Sequence, residues 1–177
     1  AFWKAGYQLH AHSNGDAATQ RTLDLLERLL EEHPRWDHRF ALEHFAYNRE
    51  TQSRRIKELG AIVSANPYYH YILSDIYSTE QIGPTRAEQM VRLGSLERLG
   101  VPFTFHSDSP MAPLEPLTLA WTAANRETIN GNRSGQDERV SLDAALRAIT
   151  IDAAWAVGME HEIGSIMAGK KADFVVL

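Results

Sequence analysis

The chain has 177 residues, 44% of them hydrophobic and 23% charged, which is the composition of a globular protein with one domain or one domain and a small appendage. It contains no run of about eighteen apolar residues and no basic, apolar leader, so we expect a cytoplasmic protein without a membrane partner. Because cysteine is absent, any metal ligands must be nitrogen and oxygen atoms. A net charge of −5 without a basic stripe excludes nucleic acid as a partner.

Short apolar runs alternate with amphipathic stretches over residues 7–108, a pattern typical of βα units and a parallel sheet. The leucines from Leu23 to Leu30 recur at helical spacing and predict a first helix that Pro34 ends. The tyrosine-rich stretch 68–77 is expected to be a loop, and a further helix is expected after Pro84. The predicted strands cover residues 7–12, 39–44, 61–66 and 101–106.

The last third of the chain has a helical pattern that gives way to two short apolar runs. Ser141 is suited to be the N-cap of a helix that begins at Leu142. Residues 164–166 and 172–177 are predicted to form two strands around the turn 169–171.

Polar residues with metal-binding chemistry stand at the carboxyl ends of the predicted strands, where a parallel βα barrel builds its active site. They are His12, His44, Asn66 and Asp108. Two histidines and an aspartate from separate strands form a site for a divalent cation, most naturally zinc with an open position for water. Metal-bound water ionises near neutral pH, and Asp108 can both bind the metal and take the proton of that water.

Other readings of these residues stay open at this point. An isolated histidine at a strand end is more often a hydrogen-bonded structural residue than a ligand. His10 and His12 point to the same strand face, so either or both could bind the metal. His70 and His106 lie near the presumed rim and fit substrate contacts or structural roles equally well. The tyrosines of 68–71 could line a substrate pocket or pack beneath a loop.

Four segments in a fixed order resemble the amidohydrolase superfamily, and within it the subgroup of N-substituted formamide deformylase-like and exoenzyme regulatory protein-like metal-dependent hydrolases. The segments are His12–Asp16, Leu42–His44, His106–Pro110 and Ile163–Phe174. The resemblance implies an α/β fold, a distorted (β/α)8 TIM-type barrel flanked by a small β-sandwich. This chain would supply the last four βα units in residues 1–160 and β-sandwich strands in residues 161–177.

The resemblance also implies roles for individual residues. His12 and His44 correspond to the metal histidines of the fifth and sixth barrel strands. Asp108 corresponds to the aspartate of the eighth strand, which is both metal ligand and general base. The substrate implied is a small molecule with an amide or formamide-type C–N bond, attacked by metal-bound hydroxide. We assign Asn66, Tyr68, His70 and His106 to substrate binding.

The chain also departs from the family pattern. The paired histidines of the family's first strand and the bridging lysine of its fourth strand have no counterpart. A whole barrel takes about 250 residues, so this chain corresponds to half of one. We expect it to be inactive alone and to associate as a homo-oligomer or with a missing N-terminal half, because half a barrel exposes strand edges. The alternatives are a non-catalytic regulatory or interaction protein that retains the fold, and an unrelated α/β protein with structural histidines.

Overall fold

In the computed structural model, which describes residues 1–176, four short strands form one parallel sheet in the order β1-β2-β3-β4. All four predicted strands are confirmed, each shorter than its apolar run. The register places His12 beside Glu43, Glu43 beside Ser64, and Ser64 beside Thr104. The strands are β1 His10–Ser13, β2 Ala41–His44, β3 Ile62–Ala65 and β4 Phe103–Phe105.

Helices connect successive strands, as crossover connections in a parallel sheet require. The predicted N-cap at Ser141 is confirmed, since its Oγ accepts a hydrogen bond from the Ala144 amide at 3.1 Å. A short 3-10 helix covers Gln136–Glu138. The α-helices are α1 Asp16–Glu32, α2 Glu50–Glu58, α3 Tyr68–Glu80, α4 Pro84–Glu88, α5 Leu93–Leu99, α6 Pro116–Asn125, α7 Leu142–Ala148 and α8 Ile151–Ala156.

The two faces of the sheet differ in what covers them. The helix-covered face carries Ala11, Leu42, Val63 and Phe103, which pack in the main core with leucines of α1 and α5. The opposite, histidine-bearing face carries His10, His12, Glu43 and Ser64, which remain half-buried or exposed. At the lower edge of that second face, Ala156 and Trp155 of α8 cover Ala41 and Ile62. The sheet is therefore a partial barrel wall whose polar face is open toward its upper edge.

The tyrosine-rich segment is a helix, α3, and not the loop expected from the sequence. It begins directly after Pro67, whose missing N–H costs nothing in a first helical turn. The tyrosines lie on several sides of the helix, so the polar and apolar positions do not alternate with a helical period. Tyr68 is buried in the main core, whereas Tyr69 is partly exposed.

The predicted terminal strands do not form within the described residues. Residues 164–166 and 172–176 contain no strand, and Leu177 lies outside the described residues. This region is instead held by local contacts: the Lys171 amide donates to the Glu162 carbonyl at 2.8 Å, and Lys170 Nζ donates to Ser165 Oγ at 2.6 Å. A strand needs a backbone partner, and the described chain offers none here. The domain boundary at residue 160 stays a prediction.

A buried arginine ties the loop after α6 to the end of α4. The Arg126 side chain is 1% exposed, and burial lowers its pKa to about 10, so it stays charged at neutral pH. Its guanidinium donates hydrogen bonds of 2.9–3.1 Å to four carbonyl oxygens. These acceptors belong to Glu88, Met90, Val91 and Ser134.

Candidate metal centre

The ends of β2 and β4 bring His44 and Asp108 together on the upper rim of the sheet. His44 ends β2 with a left-handed backbone of φ 74°, and Asp108 follows β4 with φ 54°. Non-glycine residues rarely adopt this conformation, and strained positions of this kind cluster at functional sites. The two side chains face each other, with 3.8 Å between His44 Nδ1 and Asp108 Oδ2.

His106 joins this pair to form a group of three potential ligands. One ligand atom from each of His44, His106 and Asp108 lies within 4.8 Å of the other two. His44 Nδ1 and His106 Nε2 are buried and have no hydrogen-bond partner in the described part of the chain. Buried polar atoms without partners are uncommon, because losing water without compensation costs about 1–3 kcal/mol. A divalent cation would satisfy both nitrogens, so these residues fit a metal centre of nitrogen and oxygen ligands.

His12 lies beside this group. Its ring centroid is 4.4 Å from that of His44, at an interplanar angle of 66°. The His106 ring approaches His44 from another side at 4.9 Å. His12 is exposed on the histidine-bearing face and is not one of the three residues whose ligand atoms lie within 4.8 Å of one another. The rim therefore brings together His44, Asp108 and His106, of which His106 was predicted to bind substrate, and the predicted ligand His12 lies next to them with its ring against that of His44.

Electrostatics keep the rim histidines in the form that binds metal. Burial lowers the pKa of His44, and the nearby Asp108 carboxylate only partly opposes this. Burial likewise lowers the pKa of His106, against an opposing effect of Glu43. Both imidazoles are consequently neutral at pH 7, and a neutral imidazole is the form that coordinates a cation.

Glu43 adjoins the rim and was not among the residues predicted for the site, and it pairs with His10, which the sequence left open as a metal ligand beside His12. Glu43 Oε1 lies 2.5 Å from His10 Nδ1, and Oε2 lies 3.8 Å from His106 Nε2. Burial raises the pKa of Glu43, but hydrogen bonds from His10 and Ser64 outweigh it and the net direction is downward. The sequence signal available for Glu43 was its alternation with the buried Leu42, which places it on the histidine-bearing face.

Tyr69, one of the tyrosines for which the sequence left a substrate-pocket role open, lies next to the rim. Its ring meets the His44 ring edge-on at 6.2 Å, and its hydroxyl accepts a hydrogen bond from Asn14 Nδ2 at 3.2 Å. The neighbouring Tyr68, which was assigned to substrate, packs instead against Tyr71 at a ring distance of 5.7 Å. A helical register, which the sequence did not predict for this segment, decides which of the adjacent tyrosines faces the rim.

The remaining predicted substrate residues are buried within the fold. The Asn66 side chain accepts from the Tyr68 amide at 3.1 Å and donates to the Ser107 carbonyl at 3.4 Å, bracing the turn before Asp108. His70 is 1% exposed and its Nε2 lies 3.0 Å from the Ser134 carbonyl oxygen. Burial, with a further contribution from Arg126, lowers the pKa of His70 to about 3. The structure does not bring Asn66, Tyr68 or His70 into the histidine–aspartate group.

A parallel βα wall with a histidine–aspartate group at its carboxyl rim is the architecture of a metal-dependent (β/α)8 barrel. The family comparison gives the same class: the chain belongs to the amidohydrolase family, whose model matches residues 2–177. Membership in this family excludes the reading of the chain as an unrelated α/β protein.

Individual relatives cover the chain almost completely. It is 32% identical to N-substituted formamide deformylase of Arthrobacter pascens over 98% of its length, and 32% identical to protein LONG AFTER FAR-RED 3 of Arabidopsis thaliana over the same share. A metal-dependent hydrolase of Pyrococcus furiosus superposes on 96% of the chain with a TM-score of 0.76 and 29% identity. The chain covers 32%, 30% and 33% of these proteins, respectively, about a third of each.

Proposed function

We propose that the chain is the metal-binding part of a hydrolase that cleaves a C–N bond of an amide or formamide-type small molecule. The observation that carries this proposal is the group of His44, His106 and Asp108, with two buried nitrogens that lack hydrogen-bond partners. Membership in the amidohydrolase family and similarity to a formamide deformylase support the choice of bond.

The proposal gives each rim residue a separate task. His12, His44 and Asp108 hold the divalent cation, and zinc suits two imidazoles and one carboxylate. His106, whose ligand atom lies within 4.8 Å of those of His44 and Asp108, is within reach of the same cation and of a substrate bound beside it. Such a cation lowers the pKa of coordinated water and polarises a carbonyl group. Asp108, the most exposed member of the group of three with a side chain 43% exposed, accepts a proton at a carboxylate oxygen and passes it to the leaving nitrogen as general base and acid.

Substrate binding is assigned to Asn66, Tyr68, His70 and His106. Of these, His106 has the placement that suits direct contact, since its side chain is 23% exposed beside Asp108. The other three, Asn66 directly after β3 and Tyr68 and His70 at the start of α3, would act through the shape of the backbone that carries them.

A non-catalytic regulatory or interaction role is the second candidate. It is supported by the similarity to protein LONG AFTER FAR-RED 3 of Arabidopsis thaliana, whose name states no enzymatic activity. In either case we propose that the chain acts in the cytoplasm, and within residues 1–176 no helix has the length and apolar character to cross a membrane.

The proposal is tested by measuring zinc per chain in the purified protein by plasma mass spectrometry. We expect close to one zinc per chain, falling severalfold in His44→Ala and Asp108→Ala because each removes a ligand. The matched control is His161→Ala, since that side chain is 90% exposed and remote from the rim. Equal zinc content in all four proteins would contradict the proposal.

We also expect no amide hydrolysis by the zinc-loaded chain alone. Measurable turnover by this chain would contradict that expectation.

The open strand edges of β1 and β4 lead us to propose a homo-oligomer. Light scattering should then give a mass at least twice the 19.9 kDa of the chain. A single species of monomer mass at micromolar concentration would contradict it.

A further inference from the structure

We propose that the cleft between α2 and α5 is an anion-binding site that takes the phosphate group of a small molecule. The two helices pack against each other on the helix-covered face, where Ile56 of α2 and Leu96 of α5 are buried in the main core. The cleft therefore lies on the opposite side of the sheet from the metal centre. It is a second site, and it does not depend on the proposed hydrolysis.

The first observation is an excess of positive charge in this cleft, whose volume is about 520 Å³. Four cationic side chains line it against two carboxylates, although the chain as a whole has a net charge of −5. The pKa of Glu50 is lowered by its hydrogen bond from Arg54 and further by the charges of Arg92 and Arg98. A concave surface with such a charge excess attracts anions. The cationic side chains are Arg54, Lys57, Arg92 and Arg98, and the carboxylates are Glu50 and Glu58.

The second observation is that Arg92, which lines the cleft, is buried with spare hydrogen-bonding capacity. The residue is 8% exposed, and its Nε has no hydrogen-bond partner in residues 1–176. Its Nη2 lies 3.3 Å from Glu138 Oε1, and Arg98 Nη2 lies 3.8 Å from Glu138 Oε2. Ser95 already donates to both of these oxygens, from its amide at 2.7 Å and from its Oγ at 2.6 Å. A guanidinium has five N–H donors, so Arg92 can serve a second oxyanion.

The third observation is that the cations around Arg92 are held in place without losing their charge. Lys57 Nζ donates to the Gly100 carbonyl at 2.8 Å, and Arg98 Nη1 donates to the Asp137 carbonyl at 2.7 Å. A backbone carbonyl orients a cation but carries no full negative charge to neutralise it. Arg54 pairs with Glu50 on the surface, where an ion pair contributes little free energy. An anion in the cleft can therefore compete for Arg54.

The donor set favours a phosphate group over a single carboxylate. A phosphate monoester carries about 1.5 to 2 negative charges at pH 7 and three acceptor oxygens. Guanidinium groups bind such oxygens through paired, charge-assisted hydrogen bonds. The cleft is larger than a phosphate group, and Leu99 adds an apolar wall for an organic substituent. Inorganic phosphate and a phosphate ester share the chemistry that this site recognises.

The experiment is an NMR titration of the zinc-free, nitrogen-15-labelled chain with inorganic phosphate at constant ionic strength. We expect saturable shifts of the amide signals of α2 and α5, and unchanged signals for His44 and Asp108. Arg98→Gln should weaken binding about 5-fold, because it removes one exposed cation from the lining. Glu50→Gln should strengthen it by about the same factor, because it frees Arg54 and removes a negative charge.

Matched variants separate a built site from a general effect of charge. Arg21→Gln removes an exposed arginine of α1 that does not line the cleft, and it should leave the affinity unchanged. Arg92→Lys keeps the charge beside Glu138 and should still weaken binding, because an ammonium group lacks the planar fork of donors. Circular dichroism verifies that each variant is folded.

Three results would overturn the proposal. They are the absence of shifts in α2 and α5 at millimolar phosphate, shifts confined to the histidine rim, and equal weakening by Arg21→Gln and Arg98→Gln. A second titration with glycerol 3-phosphate distinguishes the two sources of the phosphate group. We expect the ester to bind more tightly than inorganic phosphate, because it also fills the cleft beside Leu99. Binding of inorganic phosphate alone would overturn the assignment of a small-molecule ester.

Discussion

The two faces of the sheet are built from the same four strands, but one buries apolar side chains and the other holds polar ones. On the helix-covered face, Leu42 and Val63 are fully buried in the main hydrophobic core. On the histidine-bearing face, one residue further along each strand, Glu43 and Ser64 are half-buried and lie beside each other in the sheet. Burial of apolar side chains on the helix-covered face stabilises the fold. This stable sheet holds the polar side chains of the histidine-bearing face close together. Stability and chemistry are therefore separated by the period of two residues of the β-strand.

The largest effect that tests this comparison is expected from Leu42→Ala. Removing a fully buried leucine from the helix-covered face leaves a cavity and should lower the free energy of unfolding by about 2–5 kcal/mol. Urea denaturation followed by circular dichroism measures this. The matched change on the other face is Ser64→Ala, for which we expect a loss below about 1 kcal/mol because the site is half-exposed. Equal losses for the two variants would remove the distinction between the faces.

A smaller effect concerns the pH dependence of stability and the buried His70. Its pKa is about 3 in the folded chain, with burial as the main cause, and about 6.5 when unfolded. Below pH 6.5 the unfolded chain therefore takes up the proton first. The free energy of unfolding should fall by about 1.4 kcal/mol per pH unit from this group, and the loss continues until the folded pKa is reached.

The variant His70→Gln should flatten this dependence between pH 6 and 4, as measured by urea denaturation at each pH. His161→Gln serves as the control, since its exposed imidazole should leave the slope unchanged. An unaltered slope in His70→Gln would show that other groups cause the acid sensitivity. His10 affects the pH dependence of stability in the opposite direction, because the hydrogen bond with Glu43 raises the pKa of His10. The stabilisation that protonated His10 provides is therefore lost as the pH rises through this raised pKa.

Much of the fold followed from apolar periodicity. The four strands were predictable because each is a short apolar run between turn-forming residues, and α1 because its leucines recur at helical spacing. The helix Tyr68–Glu80 was not predictable from the sequence, because its aromatic residues face several sides of the helix. Tertiary packing stabilises this helix, and an amphipathic pattern is absent from it. The terminal strands were predicted from apolar residues and from the family resemblance, and neither supplies the backbone partner that a strand needs within residues 1–176.

The candidate site was predictable to the extent that it lies at strand ends. His12, His44 and Asp108 follow from that rule, and the structure places them on one rim with His106. Glu43 and Tyr69 could not be found in the same way. Glu43 lies within a strand, and its importance depends on which residues the register puts beside it. Tyr69 depends on the rotation of a helix that sequence alone did not predict.

The buried Arg126 has a consequence for how the molecule opens. One guanidinium joins two segments that are at least thirty-five residues apart along the chain, 88–91 and 126–134, by hydrogen bonds to their carbonyl groups. If either segment unfolds locally, the Arg126 guanidinium or the carbonyl groups that it binds lose their hydrogen-bond partners. The amide hydrogens of both segments should therefore exchange together, as those of one cooperative unit. His70 shares the Ser134 carbonyl with Arg126, so this unit reaches the helix that carries Tyr69. Local opening of the segment 126–134 should therefore change the position of α3 and of Tyr69 next to the histidine rim.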